Sequence, residues 1–326
     1  MLESARMKTN DPAPVRLTQA FAWHHATGRV PADWEVSQYA VEDRAGRIEW
    51  ATRRGLEATL SWEPCEREPD RGTTLATFLS NQVARSRGGR KARLRPEDVR
   101  TKEVGPFLVG WAGELLPTTA LAYDRFGGKL VQWIFEGHSS ERGRASLVEP
   151  VVAATGFNDD PATCEYRLFG IHCVLPRDYK IEDMAAFPAN AMMAFEGDES
   201  HARITFRRWG LADLILEGKT LRSLYEEVVR TGGVRVESAE PRRINGCEGF
   251  FARFSAPREH HSDRYFMRRW HNGRAYVWHD GAANRIHAFE QVGPAGYETL
   301  PDSTVPGLRV EECRMPNAES RSTLNS

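Results

Sequence analysis

The sequence predicts an α+β protein built of two tandem domains, each an antiparallel β-sheet covered by helices. Three observations predict it. A short motif occurs twice: Val30-Pro31-Ala32-Asp33-Trp34 and Leu175-Pro176-Arg177-Asp178-Tyr179 share an apolar residue, proline, any residue, aspartate and an aromatic, about 145 positions apart. Apolar residues alternate at period two after each copy, in 47–51 and 56–62 and again in 191–195 and 201–206, the mark of half-buried strands. Each half also carries an amphipathic helical stretch closed by paired glycines, Gly88-Gly89 and Gly232-Gly233, where helices commonly stop.

The chain has 326 residues, enough for two domains at roughly 100–200 residues each. The predicted division is a disordered tail at 1–14, domains at 15–157 and 158–300, and a second disordered tail at 301–326. Asn158-Asp159-Asp160-Pro161 supplies the linker. A domain of that size buries enough surface to hold its own core without disulfides. Five cysteines with no CxxC pair read as reduced thiols of a cytoplasmic protein. The N-terminus lacks the apolar stretch of a signal peptide, and no apolar run approaches the roughly 20 residues of a membrane span. The expectation is a soluble, cytoplasmic protein without membrane contact. A net charge of −1 lacks the basic excess of a phosphate-backbone binder, which argues against nucleic acid.

In chain order, residues 15–23 form a strand or short helix, and Pro31 ends a strand because proline cannot serve a central ladder. Strands follow at 36–39, 47–51 and 56–62, the last two joined at Arg53-Arg54-Gly55. Thr73-Thr74 caps a helix that presents Leu75, Phe78, Leu79 and Val83 on one face. Strands at 99–104 and 107–111 precede a hairpin, 119–126 and 129–135, whose turn is Gly127-Gly128. A helix over 145–155 ends at Gly156. The second half repeats the order. Residues 167–175 form one strand. A helix from Thr220 places Leu221, Leu224, Tyr225, Val228 and Val229 at i, i+3, i+4, i+7 and i+8. Strands at 234–238 and 249–254 lead to a hairpin, 264–270 and 274–279, turning at Asn272-Gly273. The last helix is placed at 283–292, and a polar tail begins at Glu311.

A strand ending in Leu-Pro-x-Asp-aromatic, two strands, a helix opened by Thr-Leu, a strand–Gly–strand pair, a hairpin and a helix together resemble the PsbP-like superfamily. That superfamily holds an extrinsic photosystem protein, a Ran-binding import factor and effector-associated chaperones of type VI secretion. The resemblance spans both halves and brings no catalytic residue set. It implies a non-enzymatic role in binding, assembly or chaperoning, here on a duplicated chain.

The candidate chemistry is sparse. Histidines crowd the last quarter, and His260, His261 and His279, with Asp263 or Asp280, are the candidate metal or acid–base group. His271, in the predicted turn, is too far along the strand to join His279. His172 and Cys173 are strand neighbours and point to opposite faces, so they form no dyad. Cys247, in a Gly-Cys-Glu-Gly loop near Arg242 and Arg243, is a candidate reactive thiol. The densest basic run holds Arg87, Arg90, Lys91 and Arg93 and reads as a phosphate contact or as a solvated loop after a helix. Of nine tryptophans, Trp34, Trp50, Trp62, Trp209 and Trp278 fall in strand patterns and read as core. Trp111, Trp133 and Trp270 serve core or interface equally well. No phosphate loop, HExxH or GxSxG occurs. The expected function is therefore a non-catalytic protein-binding, assembly or chaperone-like adaptor without a cofactor, acting on a protein partner through sheet faces and long hairpins. The alternative is a histidine-based metal-binding protein or enzyme.

Overall fold

In the computed structural model the chain is mostly β, with 55% strand against 16% helix. The structure describes residues 15–24, 26–42, 44–86, 94–113, 116–138, 140–187, 189–257, 270–294, 297, 308 and 310–312. Its strands form antiparallel sheets. This overturns the α+β expectation and, with it, the helix-covered sheet implied by the PsbP-like resemblance. The predicted tail at 1–14 lies outside the described residues, as does most of 301–326. The chain divides into two compact units, Met1–Leu168 and Phe169–Ser326.

The first unit begins with β1 (Leu17–Trp23), β2 (Ala26–Pro31), β3 (Glu35–Tyr39), β4 (Gly46–Thr52) and β5 (Gly55–Pro64). Helix α1 (Arg71–Ser86) precedes β6 (Arg100–Val104), β7 (Phe107–Trp111), β8 (Thr118–Asp124) and β9 (Lys129–Phe135). A short α2 (Glu141–Gly143) runs through a π-turn into α3 (Glu149–Ala153), followed by β10 (Gly156–Phe157) and β11 (Thr163–Leu168). Pro150 is tolerated because it falls in the first turn of α3, where its missing N–H costs no bond.

The large sheet has the order β3-β4-β5-β9-β8-β7-β6. One face is sealed by other strands, not by helices. Phe21 of β1 meets Trp50 at 5.2 Å and Trp133 at 6.0 Å between ring centroids, and Trp133 stacks on Phe135 at 5.4 Å. Pairs of this kind add to the burial of their area. Strands β10, β2, β1 and β11 lie side by side in that order in the smaller sheet. Helix α1 covers only part of the opposite face, where Leu75 and Leu79 pack with Val99 and Leu121. Gly110 makes room for it, since a Cβ there would lie 2.2 Å from Leu75 Cδ2. The cap of α1 is Asp70, whose Oδ1 accepts from Thr73 N at 2.7 Å, and not the Thr73-Thr74 pair.

The second unit runs β12 (Ile171–Pro176), β13 (Tyr179–Phe187), β14 (Asn190–Gly197) and β15 (Arg203–Gly210), then α4 (Ala212–Ile215) and α5 (Leu221–Arg230). It continues with β16 (Arg235–Ile244), β17 (Cys247–Pro257), β18 (Trp270–Asp280), β19 (Arg285–Gly293) and β20 (Val310–Glu312). Its sheet has the order β13-β14-β15-β19-β18-β17-β16-β20. The first seven strands therefore follow the same order as the large sheet of the first unit. Helix α5 opens with a capping box between Thr220 and Ser223. It buries Leu224, Tyr225 and Val229 against Phe250, Ala252 and Phe254 of β17 and Ala275 and Val277 of β18.

Four element predictions are corrected. From Arg285 on, the stretch predicted as a helix over 283–292 is strand β19, because Ile286, Ala288 and Glu290 line one face and Phe289 the other. Asn272-Gly273 is no turn but mid-strand in β18. The turn instead spans Gly281 to Asn284, and Asn284 takes the positive φ of 51°. Gly273 is required because a Cβ would lie 2.4 Å from the Phe254 ring. The single strand over 167–175 is broken at Phe169-Gly170, both at positive φ. Val310–Glu312, within the predicted tail of 301–326, pairs with β16.

Candidate functional site

The predicted site residues do not converge. Trp133 is fully buried in the aromatic core of the first unit and is no interface residue. Trp111 ends β7 half-buried, with the Arg144 guanidinium 4.2 Å above its ring, a cation–π contact. Trp270 opens β18. Arg87, Arg90, Lys91 and Arg93 lie outside the described residues, as do His260, His261 and Asp263. His279 borders a shallow pocket of about 420 Å³ with Glu248, Phe250 and Thr220. Its Nε2 is buried there without a hydrogen-bond partner. Among the described residues no group of three His, Cys, Asp or Glu could hold a metal ion. Cys247 opens β17, and its thiol pKa is raised, first by burial and then by the Asp280 charge. That is the wrong direction for the reactive thiol considered from the sequence.

A larger pocket of about 580 Å³ opens between the C-terminal end of α5 and the face of the second sheet. Its apolar wall is Val228, Val229 and Val292; its polar wall is Arg203, Thr205, Arg207 and Glu290. These side chains share a face because residues two apart on β15 and β19 point the same way. The charges are matched: Arg207 Nε lies 3.2 Å from Glu290 Oε1, and Arg203 Nε lies 3.1 Å from Glu182 Oε2. The Nη1 of Arg207 also donates to Met192 Sδ at 3.1 Å. The Tyr225 hydroxyl is sealed at the floor, and burial, reinforced by the Glu290 charge, holds its pKa well above 10. With these ion pairs closed and the phenol held protonated, the pocket offers shape and mixed polarity, and His201 and His271 also line it.

The second feature is an apolar end. Phe187 is 65% exposed, Leu211 55% and Leu214 66%, three of the five exposed large hydrophobics among the described residues. Gly210 N donates to Ala189 O at 2.8 Å, which ties the end of β13–β14 to the start of α4. Leu211 holds φ 58°, a conformation costly for a leucine, by roughly 1–2 kcal/mol. Beside this patch runs β13, the outer strand of its sheet among the described residues. A bulge between Ile181 and Asp183 and the charges of Lys180, Glu182 and Asp183 guard one half of it. The other half, Met184-Ala185-Ala186-Phe187, carries no charge, and an uncharged outer strand is a template for pairing.

Sequence reading missed this end because its residues come from two separate segments, each too short for a periodic signal. The one hint was the uncharged run before residue 188. No family model matches the chain, and no curated protein matches it in sequence.

Proposed function

We propose that the protein is a non-catalytic protein-binding adaptor of the assembly or chaperone type, working through the second unit. The observation that carries the reading is the pairing of an uncharged outer strand, Met184–Phe187, with the exposed side chains of Phe187, Leu211 and Leu214. An extended apolar segment of a partner protein would add to the edge of β13 by main-chain hydrogen bonds and seat its side chains on that end. The paired charges of the pocket, Arg207 with Glu290 and Arg203 with Glu182, suit a binding surface of mixed polarity.

Site-specific photocross-linking in the native host tests this. A photoreactive residue at Phe187 or Leu211 should give one predominant adduct with a single protein. The same residue at exposed Glu103 of β6 should not. Phe187→Asp combined with Leu214→Asp should abolish the adduct while leaving the circular dichroism spectrum unchanged. Identical adduct patterns from all three positions, or none, defeats the reading.

A further inference from the structure

On the face of the second sheet opposite α5, two arginines stand together with no counter-ion. Arg208 of β15 and Arg285 of β19 both reach the turn at Gly170. Their Nη1 atoms come within 3.1 and 3.2 Å of the point that a Cβ on Gly170 would occupy. Neither guanidinium forms an ion pair or hydrogen bond among the described residues, and the Nε of Arg208 is buried and unpartnered. The nearest acid in register, Asp280 opposite Arg285, is engaged in its own turn, where Oδ1 accepts from Ala283 N at 3.0 Å.

The surroundings keep this charge in place. His287 sits directly across from Arg208 in the β15–β19 register and stacks on Trp278 with centroids 5.1 Å apart and planes at 13°. Burial first, then the charges of Arg285 and Arg208 against that of Asp280, hold His287 at a pKa of about 4, so it is neutral at neutral pH. Phe169 and Gly170 lie at φ 54° and 73°, the pair expected of a type I′ turn, which favours Asn-Gly. A phenylalanine there is strained, and such strain clusters at binding sites. Gly170 is exposed and both arginines are half-buried, so the pair borders solvent.

An orphaned buried guanidinium donor is costly, and the like charge of Arg285 at its side adds to that. Both costs vanish when a doubly charged oxyanion bridges the pair, since guanidinium forks match oxyanion geometry. We infer that Arg208 and Arg285, over the Phe169-Gly170 turn, form a binding site for a phosphoryl group. This goes beyond the adaptor reading and does not depend on it, because the site lies on other residues of the second unit.

The test is a titration of the full chain with inorganic phosphate at fixed ionic strength, following the His287 Cε1–H resonance by NMR. At about pH 8, where phosphate is mostly the dianion, its binding beside Arg208 should move the resonance of the neutral His287 ring, which lies directly across from Arg208 in the strand register. The response should saturate by about 10 mM phosphate. Arg208→Gln and Arg285→Gln should each reduce the phosphate affinity at least about tenfold, or about 1.4 kcal/mol. Arg285→Lys should retain part of it. No phosphate-dependent movement of the His287 resonance in the unmodified chain overturns the site. An equal response to acetate overturns the phosphoryl assignment. Unaltered binding in both glutamine variants would place the phosphate elsewhere and also overturn it.

Discussion

At the scale of single residues, three positions decide more than their sequence context reveals. Gly273 looks like half of an ideal turn, yet it lies in mid-strand against the Phe254 ring. Gly273→Ala should destabilise the protein by about 3 kcal/mol, by overpacking and not by backbone strain, as a denaturant midpoint will register. Glu290 is 7% exposed and faces Arg207 at 3.2 Å. Glu290→Gln leaves a partly buried guanidinium without its charge partner, so a loss of about 2 kcal/mol is expected. Urea unfolding measures it, and adding Arg207→Met should recover part of the loss. Glu57 in the first unit shows the opposite balance. Burial pushes its carboxyl pKa up, but Thr52, His138 and Arg54 outweigh that and hold it below 4.5. None of these roles is legible locally, because each is set by a neighbour across a strand or by a residue far along the chain.

At the scale of elements, α5 was readable from sequence because a helix that buries one face must repeat near 3.6 residues. Leu224, Tyr225 and Val229 are buried as that spacing requires. Leu224→Ala should cost about 3 kcal/mol and Thr220→Ala about 1 kcal/mol through the lost cap. Thermal melts of the two variants will show whether the ranking holds. The first helix was also legible, although Asp70 and not a threonine caps it. Strand β19 was misread as a helix because Ile286, Ala288 and Phe289 suit either period when the window is short. Strands β11 and β12 were merged because the turn between them carries a phenylalanine where Asn-Gly would have signalled a reversal. The uncharged half of β13 is visible in sequence, but only the sheet order places it at an edge.

At the scale of the molecule, stability should depend on pH through His287. Its pKa is depressed from 6.5 to about 4 in the folded chain, so the unfolded chain binds the proton more tightly. The neutral ring's contribution is whole above pH 6.5 and falls as pH drops from there to about 4. Below that value this residue removes no more. The full loss amounts to about 3 kcal/mol. Carboxylates such as Glu57, with a lowered pKa, lose their contribution only in a more acidic window. Guanidinium unfolding at pH 7, 5.5 and 4.5 should therefore show a steady decline, and His287→Gln should flatten it. The two large sheets share one strand order over seven strands, and the repeated Pro-x-Asp-aromatic motif marks the same place in each, between β2 and β3 and between β12 and β13.

The sequence by itself determined where strands alternate, where two amphipathic helices lie and that one pattern occurs twice, because these follow from periods and breakers within a few residues. It did not determine what covers each sheet. In the first unit a layer of strands carrying Phe21, not a helix, meets Trp50 and Trp133, and only the tertiary structure decided that. It alone also brought Ala189 to Gly210 and Arg208 to Arg285. Those neighbours are separated by many residues along the chain and adjacent only across hydrogen-bonded strands, a relation that no local period encodes.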